Sequence, residues 1–358
     1  MVKDQLDRGC SVILIAPEDD TRSQLPVHDR LTFLPLRELQ AHGRSPFSDL
    51  RLRRELERHY LETKPDIIFH YTVKPNIWGT LAAGVLPGVR TVSVITGLGL
   101  AFQSNGPLQL AVSWLYRKAL KRATEVWFLN AGDRDLFRRR GLLTGHQGSL
   151  IPGEGIDCEK FKPCPIPSPT ENGIEFLMIA RVKEAKGIRE FVDAAFTLQK
   201  KYRDAEINCT LIGRHDKQDP DAIPYPILME WTNQLIINWL GHVPDVRQAI
   251  CKADVVVLPS HGEGLSMSLM EGASCERPLI TTDVSGCREL VVDRENGWIC
   301  KPKDAKSLAD AMEAAFLTPP EERSIMGKKG RAMMLSAYDD PIILSMYRQR
   351  IALLTGTD

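Results

Sequence analysis

The sequence predicts an α/β fold in which two domains each contain a parallel sheet covered by helices. Short apolar runs alternate with longer amphipathic stretches along almost the whole chain, which is typical of such sheets. At 358 residues the chain is also longer than one hydrophobic core usually serves. Four prolines fall within residues 162–169 and interrupt regular structure there. We therefore expect a first domain over residues 1–155 and a second domain over residues 170–335.

The first domain is predicted to alternate strands with helices. Its strands are predicted at residues 11–16, 66–69, 90–95 and 125–129, and its helices near 48–63, 76–86, 107–123 and 132–140. The beginning of the chain departs from this alternation, because residues 1–8 are predicted to form the last turns of a helix that ends at Gly9. Domains of this class ordinarily begin with a central strand, so we expect that strand and its glycine-rich turn to be missing, which exposes sheet edges. The alternative is a fold that begins with a short helix.

The second domain repeats this alternation. Its strands are predicted at residues 175–179, 206–212, 238–240, 255–258, 278–281 and 297–300, and its helices near 188–202, 245–251, 265–275, 286–291 and 305–316. A last apolar stripe with helical spacing predicts one more helix over residues 340–354.

Composition excludes several classes of protein. The chain has 46 basic and 46 acidic residues, so no global charge favours nucleic acid as a partner. Its eight cysteines form no C-x-x-C pair, which indicates neither a disulfide frame nor a zinc site and fits a reducing cytoplasm. No secretion signal is visible, and no apolar run is long enough to cross a bilayer. We expect a cytoplasmic protein that is soluble or, at most, attached to a membrane surface.

Two carboxylates bracket a glycine-rich turn in the second domain. Glu263 follows the apolar strand 255–258 and Gly262, and Glu271 lies about two turns into the helix that begins near Leu265. Glycine lets the backbone turn sharply, and the free N–H groups at the start of a helix attract phosphate. This arrangement predicts a pocket for a sugar nucleotide. The alternative is an ordinary strand–loop–helix connection with one solvated glutamate and one that favours the helix.

A second loop in the same domain carries two cations. Arg181 and Lys186 follow the strand 175–179 and precede a helix, so we expect them at the carboxyl edge of the sheet, where open α/β sheets bind ligands. A guanidinium offers paired N–H donors to phosphate oxygens, and an ammonium offers a mobile charge. With the Glu263 turn, this loop predicts one pocket for a nucleoside diphosphate. Taken alone, it fits a solvated basic loop.

Three motifs, in their order along the chain, resemble a known family. They are the R-x4-K-G motif at Arg181, the E-x7-E motif at Glu263, and residues 285–304. Together they resemble glycosyltransferase family 4, which comprises retaining enzymes of the GT-B fold, and residues 66–358 follow the family pattern almost continuously. The resemblance implies two Rossmann-like domains whose parallel sheets face each other across a cleft. It also implies that a C-terminal helix, here 336–358, packs back on the first domain.

Two segments of the first domain narrow the resemblance. Residues 70–79 and 94–99 are similar to bacterial enzymes that add a hexose or N-acetylhexosamine to undecaprenyl-diphosphate-linked sugars in surface-polysaccharide or glycan assembly. The resemblance therefore implies a nucleotide-sugar donor and a lipid-linked saccharide acceptor. On this acceptor side, His70, Lys74, Thr96 and Gly97 are expected to face the acceptor and the transferred sugar. For His70 the alternative is a buried histidine that caps the end of a strand.

The resemblance assigns the donor side of the site to the second domain. Arg181 and Lys186 are expected to bind the diphosphate, and Glu263 is expected to orient the sugar of a UDP-sugar. Glu271 is expected to accept hydrogen bonds from the ribose. The other expected donor contacts are the backbone of Gly264, Leu265 and Ser266 at the phosphates, and the segments around Gly213 and His242 at the base and ribose.

The implied reaction needs no metal or other cofactor. Departure of the diphosphate leaves negative charge on it, and fixed cations with a helix N-terminus can stabilise that charge. The resemblance implies retention of anomeric configuration, with the phosphate oxygen taking the acceptor's proton and Glu263 as a positioning group. Asp133 and Asp135 have the letters of a metal-binding D-x-D motif but lie on a predicted helix, where a solvated face is expected.

Two other functions remain open at this point. Without the first strand and its loop, the chain could be a non-catalytic remnant that binds UDP and transfers nothing. A sugar-nucleotide epimerase on the same two-domain scaffold is the other alternative, although the paired R-x4-K and E-x7-E motifs are typical of transferases.

Basic residues cluster on three predicted helices of the first domain. They are Arg51, Arg53, Arg54 and Arg58, then Arg117, Lys118, Lys121 and Arg122, then Arg138, Arg139 and Arg140. Beside Leu52, Leu56, Trp114 and Leu115, these cations could contact anionic lipid headgroups near a membrane-held acceptor. Ordinary solvated helix faces are the alternative.

Overall fold

The computed structural model describes residues 1–19, 22–23, 25–39, 46–98, 106–144, 148–164 and 173–356. Most of the proline-rich segment that predicts the domain boundary lies outside these residues, as does Gly99 of the segment 94–99. Contacts within the chain divide it into two compact units. The first unit is Met1–Glu154 with Pro341–Asp358, and the second unit is Gly155–Asp340.

Twelve strands occur in the described part of the chain. In order they are β1 (Val12–Ala16), β2 (Leu31–Pro35), β3 (Ile67–Tyr71), β4 (Arg90–Ile95), β5 (Glu125–Phe128), β6 (Ser149–Leu150), β7 (Gly173–Ile179), β8 (Glu206–Ile212), β9 (Asn238–Trp239), β10 (Val255–Leu258), β11 (Leu279–Thr282) and β12 (Gly297–Cys300).

The α-helices alternate with these strands. In order they are α1 (Val2–Asp7), α2 (Pro46–Thr63), α3 (Thr80–Ala82), α4 (Pro107–Leu120), α5 (Ala131–Arg139), α6 (Ile188–Lys201), α7 (Tyr225–Asn233), α8 (Arg247–Lys252), α9 (Met267–Ser274), α10 (Ala305–Leu317), α11 (Pro320–Met333) and α12 (Asp340–Thr355). Shorter 3-10 turns lie at Ala83–Val85, Glu184–Lys186 and Arg288–Leu290, and π-helical turns lie at Pro75–Gly79 and Met334–Tyr338.

The first unit contains two parallel sheets. Strands β3, β4, β5 and β6 form one sheet in that order, and β1 pairs with β2 in the other. Among the described residues, β1 pairs only with β2 and β3 pairs only with β4, so each has one edge without a strand partner. Apolar side chains of α4 and α5, including Tyr116 and Phe137, pack with Phe128 of β5 in one core.

Helix α12 packs within this first unit. Arg348 Nε donates to Asp4 Oδ1 over 3.0 Å, and Arg350 forms an ion pair with Glu125 over 2.7 Å. The ring of Tyr347 meets that of Trp127 edge to face, with centroids 5.0 Å apart. Residues of α1, near the beginning of the chain, and of β5 therefore hold the last helix in place.

The second unit is built on one six-stranded parallel sheet with the order β12-β11-β10-β7-β8-β9. All four residues of β10 and all four of β11 are buried, because helices cover both faces of a parallel sheet. Helices α6 and α10 pack on each other and bury Phe191, Leu198 and Met312 in the same core. The predicted α/β class with parallel sheets is confirmed.

The sequence missed some elements and overestimated others. Strand β2 and helices α7 and α11 were not predicted. Each of them has mixed polarity or few buried residues, so its sequence lacks a clear apolar pattern. The helix predicted near 286–291 is only the 3-10 turn Arg288–Leu290. Among the described helices, none combines the length and apolar character of a membrane span.

One disulfide corrects the cysteine prediction. Cys164 and Cys251 are bonded in the second unit, with Cα atoms 5.4 Å apart. The pair is separated by 87 residues, so no short spacing motif marks it, and only the fold brings the two cysteines together. Of the other cysteines, Cys10 is exposed and the remaining five are buried thiols.

Candidate active site

The candidate site lies at the carboxyl edge of the second unit's sheet. Strands β11, β10, β7 and β8 are neighbours there, so the four loops that follow them start side by side. These loops carry the residues that the sequence predicts for the donor. Their common origin explains how residues far apart in the sequence come together.

The loops after β7, β8 and β10 are fastened to one another through their backbones. The His261 N–H donates to the Ala185 carbonyl over 2.9 Å. At Gly187, which has a φ of +75°, any side chain would overlap the carbonyl oxygen of Pro259. A side chain at Gly213 would likewise overlap the carbonyl oxygen of Ala180. Glycine at these two positions therefore lets the three loops approach closely.

Lys186 and Glu263 meet at this junction. The Lys186 ammonium forms an ion pair with Glu263 Oε1, and both side chains are largely buried, with 18% and 13% of their surface exposed. The Glu263 N–H donates to the Ser285 carbonyl over 3.2 Å, which ties the loop after β10 to the loop after β11. The structure thus brings together two of the predicted site residues from loops 77 residues apart.

Arg181 stands at the end of β7 beside the same loops. It is exposed and has no hydrogen bond or ion pair with any residue that the structure describes. A guanidinium in that state keeps its donors available for a ligand. His242 is also exposed, and the Gly213 N–H donates to the Gly241 carbonyl over 2.8 Å, which places the loops of Gly213 and His242 side by side.

Helix α9 begins at the candidate phosphate cradle. The Ser266 hydroxyl caps the helix by accepting a hydrogen bond from the Leu269 N–H over 3.3 Å. The Ser266 N–H in turn donates to the Gly286 carbonyl over 3.0 Å. Gly264 is buried and Leu265 half buried in the approach to the helix. The positive end of the α9 dipole therefore lies next to Glu263 and its loop.

Glu271 lies within α9 in an environment that disfavours its charge. Burial raises the pKa of its carboxyl to about 7, and the positive charge of Lys160 offsets this only in part. A carboxylate in this position has a strong tendency to gain hydrogen-bond donors or a proton. The hydroxyl groups of a ribose would supply such donors.

Lys183 lies inside the R-x4-K motif but was not among the residues predicted for the site. Its ammonium lies 3.3 Å from Asp219 Oδ2 and 3.7 Å from Asp221 Oδ2. Asp221 also accepts the Ala185 N–H over 3.1 Å. These contacts fasten the R-x4-K loop to the loop after β8. No sequence signal could have found them, because the two aspartates lie in an irregular segment without a motif.

A histidine–carboxylate pair was also missed. His261 Nε2 lies 2.8 Å from Glu190 Oε1, which joins the E-x7-E loop to helix α6. Burial acts to raise the pKa of Glu190, but the hydrogen bond from His261 and other favourable contacts outweigh it and leave the pKa lowered. The signal was weak, because a lone histidine before a glycine occurs in loops of many kinds.

In the first unit, His70 is buried in a hydrogen-bonded network. Only 3% of its surface is exposed, Nε2 lies 3.0 Å from the Tyr60 hydroxyl, and Nδ1 lies 3.1 Å from the Thr80 hydroxyl. Burial lowers the pKa of its imidazole to about 3. With both nitrogens occupied, His70 fits the alternative of a buried structural histidine better than contact with an acceptor.

The other predicted acceptor-side residues differ in their surroundings. Lys74 forms an ion pair with Asp49 over 3.0 Å, and about a fifth of each side chain is exposed. Thr96 and Gly97 follow the buried strand β4 and are half buried, and Gly97 has a φ of +130°. Lys74 therefore already has a carboxylate partner, while Thr96 and Gly97 lie where a strand ends.

The two aspartates of the D-x-D motif, Asp133 and Asp135, do not both lie on a solvated face. Asp133 is buried, whereas Asp135 is partly exposed and forms ion pairs with Arg134 and Arg138. The expectation of a solvated face was therefore wrong for Asp133, because α5 turns that side chain into the unit. In the described ranges, no three His, Cys, Asp or Glu side chains are grouped as metal ligands would be.

Two family models match the chain. A glycosyl transferase 4-like domain matches residues 1–147, and the model of glycosyl transferases group 1 matches residues 173–317. The first range falls in the first unit, and the second range contains every residue predicted for the donor side. Together the two models cover most of the chain.

Curated relatives are similar over nearly the same length. An N,N'-diacetylbacillosaminyl-diphospho-undecaprenol alpha-1,3-N-acetylgalactosaminyltransferase of Campylobacter jejuni is 26% identical over 97% of this chain and 92% of its own. A UDP-Gal:alpha-D-GlcNAc-diphosphoundecaprenol alpha-1,3-galactosyltransferase of Escherichia coli is 26% identical over 82% of this chain and 77% of its own.

Solved structures share the fold. A sucrose-phosphate synthase of Thermosynechococcus elongatus superposes with a TM-score of 0.80 at 19% identity, covering 97% of this chain and 91% of its own. HepE of Anabaena, solved with UDP-glucose, superposes with a TM-score of 0.74 at 16% identity, covering 95% of this chain and 99% of its own. With the two family models, these likenesses lead to one conclusion: the chain belongs to the glycosyltransferases and has the GT-B fold.

Proposed function

We propose that this glycosyltransferase moves a hexose or N-acetylhexosamine from a UDP-sugar to a lipid-linked saccharide, with retention of anomeric configuration and without a metal. The reaction would serve surface-polysaccharide or glycan assembly. The observation that carries the proposal is the meeting of Lys186, Glu263 and the N-terminus of α9 at one sheet edge.

The charges at this edge suit a departing diphosphate. When the bond between the anomeric carbon and the phosphate oxygen breaks, negative charge grows on the diphosphate and positive charge grows on the sugar ring. Lys186, Arg181 and the free N–H groups of α9 can stabilise the negative charge where it develops. Glu263 lies beside Lys186 and can hold the sugar through its hydroxyl groups.

The proposed scheme also accounts for the acceptor's proton. The acceptor hydroxyl attacks from the face that the phosphate leaves, and the departing phosphate oxygen takes the hydroxyl proton. In this scheme Glu263 is a positioning group and does not serve as a nucleophile. Because cations of the protein carry the phosphate charge, the scheme requires no metal.

The names of the relatives support the proposed substrates. One relative is named for UDP-Gal as donor, and both relatives are named for acceptors linked to undecaprenol through a diphosphate. In the present chain, the carboxyl of Glu271 would accept hydrogen bonds from the ribose of UDP. The lipid-linked acceptor would place the enzyme at the cytoplasmic face of a membrane, held peripherally.

A transfer assay tests the proposal. The wild type is incubated with a panel of UDP-sugars and a water-soluble, short-chain lipid diphosphate saccharide, beside Arg181→Ala and Glu263→Ala. We expect transfer with one donor class, an α-linked product from an α-linked donor, activity in the presence of a chelator, and a loss of about a hundredfold or more in each variant.

Two outcomes would overturn the proposal. UDP binding without transfer or donor hydrolysis would favour the non-catalytic alternative, and isomerisation of the sugar without an acceptor would favour the epimerase. A product of inverted configuration, or activity that a chelator abolishes, would contradict the mechanism alone.

A further inference from the structure

One exposed face of helix α4 is apolar at its amino-terminal end and basic at its carboxyl-terminal end. The exposed positions recur with helical spacing, and they are Leu110, Ala111, Trp114, Arg117 and Lys118, continuing in the turn after the helix with Lys121 and Arg122. Trp114 is 57% exposed and Leu110 is 73% exposed. The amino-terminal half of this face is thus apolar and the carboxyl-terminal half is cationic. We call it the α4 face.

The opposite side of the same helix is fixed in the core. Tyr116, Ala119 and Leu120 are buried with at most 1% of their surface exposed. Arg117 Nε donates to the Gly141 carbonyl over 3.0 Å, which anchors the end of α4 to the segment after α5. The α4 face therefore sits on a rigid helix, and its exposed tryptophan cannot turn inward without dislodging buried residues.

A groove on this face is lined by cations and one aromatic ring. Its lining residues are Trp114, Arg117, Lys118, Lys121 and Arg122. The Lys118 ammonium lies 5.2 Å from the centre of the Trp114 ring, so charge and aromatic surface are adjacent. Among the described residues, no carboxylate lines the groove, and no acidic side chain lies within ion-pair distance of Lys118, Lys121 or Arg122.

The basic residues of helix α2 form a useful contrast. Arg51 pairs with Glu38, Arg53 with Glu57, and Arg58 lies 4.0 Å from Glu62. The leucines beside them, Leu52 and Leu56, are buried in the core. The cations of α2 therefore fit the alternative of an ordinary solvated helix face, since most of them pair with neighbouring glutamates and the leucines beside them do not reach the surface.

We propose that the α4 face docks on a membrane surface that carries anionic phospholipids. Tryptophan favours the boundary between headgroups and acyl chains, where its ring is apolar and its N–H can be solvated. Lysine and arginine gain from the negative surface potential of such a membrane. The chain as a whole has no net charge, so the attraction comes from this local face and orients the protein.

The proposed function explains only what docking would be for, because docking would hold the enzyme near a lipid-linked acceptor. Binding to lipid is measurable without donor or acceptor. Transfer to a water-soluble acceptor is measurable without a membrane. Failure of one proposal is therefore distinguishable from failure of the other.

Vesicle sedimentation tests the docking. Full-length protein is mixed with vesicles of phosphatidylglycerol and phosphatidylcholine or with vesicles of phosphatidylcholine alone. We expect binding to the anionic vesicles, with a loss in high salt because the attraction is electrostatic. The double variant Lys118→Glu/Lys121→Glu should reduce partitioning about tenfold or more at low salt. Trp114→Ser should reduce it less strongly, because it removes an apolar contact and leaves the charges in place.

Matched variants control for charge and for folding. Lys200→Glu/Lys328→Glu makes the same charge change at exposed positions of the second unit, and Phe196→Ser removes an exposed aromatic ring there. These variants should bind vesicles as the wild type does. All variants should keep the circular dichroism spectrum and melting temperature of the wild type, which shows that they fold. They should also transfer sugar to the water-soluble acceptor at the wild-type rate. Equal binding to both kinds of vesicle, equal losses in the two double variants, or no binding at all would overturn the inference.

Discussion

The ammonium of Lys186 and the carboxylate of Glu263 form a largely buried ion pair across two loops that follow neighbouring strands, β7 and β10. In the proposed reaction, a phosphate and a sugar must enter beside this pair. The ammonium would then exchange part of its contact with Glu263 for contact with the diphosphate, which leaves the carboxylate available for sugar hydroxyls. The pair therefore holds both side chains in place before the donor arrives.

Substitution of Lys186 should affect the chemical step more than donor binding. We expect Lys186→Ala to lower kcat about a hundredfold or more, because the cation is needed most where charge develops on the leaving group. The UDP-sugar dissociation constant should rise only about tenfold, as expected for one charged hydrogen bond. Steady-state kinetics and calorimetry measure the two effects.

Lys200→Ala is the matched control for this substitution, since Lys200 is exposed on α6. It should leave both constants unchanged. A Lys186→Ala variant whose kcat stays within a few-fold of the wild type would refute the assignment. Glu263→Gln should retain fold and donor binding better than Glu263→Ala, since the amide can still accept hydrogen bonds.

Glu271 should make donor binding depend on pH. In the free protein, burial raises the pKa of its carboxyl to about 7, and ribose hydroxyls would favour the charged form and lower that pKa. Binding therefore releases a proton and strengthens as pH rises. We expect the dissociation constant of a UDP-sugar to be about tenfold larger near pH 6 than near pH 8. Calorimetry in buffers of different ionisation enthalpy would detect the released proton.

Glu271→Gln removes the titrating group and should abolish this pH dependence while weakening binding near pH 8. A UDP-sugar is the right ligand, because its diphosphate is a diester without a group that titrates in this range. If the wild type and Glu271→Gln share the same pH profile, Glu271 does not contact the donor.

The sequence was informative where function follows strand order. Lys186 and Glu263 each follow an apolar run that is typical of a buried parallel strand, and loops after such strands share one edge of a sheet. Their proximity could therefore be anticipated without knowing any side-chain conformation. The same argument located Arg181 and Gly213, and the parallel α/β class was predicted correctly.

The sequence was uninformative where a residue's environment depends on distant packing. His70 is buried because Tyr60 of α2 and Thr80 of α3 converge on its ring, and no local pattern encodes that meeting. The contact of Lys183 with Asp219 depends likewise on an irregular loop. Sequence periodicity reports which face of an element is apolar, but it does not report which polar group lies opposite that face.

His70 should make the protein sensitive to acid. Burial lowers the pKa of its imidazole to about 3, whereas an unfolded histidine titrates near 6.5. Below about pH 6.5 the unfolded chain therefore binds a proton that the folded chain does not, and stability falls by about 1.4 kcal/mol per pH unit from this group. Thermal melting between about pH 4 and pH 8 measures the trend.

His70→Gln is the matching variant, because glutamine can hydrogen bond but does not titrate. It should be less stable than the wild type at neutral pH, with a shallower loss of stability toward acid. A variant with the wild-type slope would show that other groups cause the acid sensitivity. Transfer activity should survive in the folded variant, since His70 is buried away from solvent.

The disulfide between Cys164 and Cys251 should stabilise the second unit under oxidising conditions. It closes a loop of 87 residues, and restricting a loop of that size in the unfolded chain contributes about 4.5 kcal/mol at most. We expect dithiothreitol to lower the melting temperature of the oxidised wild type and to have no effect on Cys164→Ser/Cys251→Ser. Cys10→Ser, which removes the exposed free thiol, should respond to dithiothreitol as the wild type does.

If mass spectrometry shows that the disulfide is reduced while the melting temperature is unchanged, the surrounding fold holds the two cysteines together without the bond. Arg277, which is 2% exposed and donates to the Cys251 carbonyl over 3.0 Å, would then be one of the contacts that keep the two segments together.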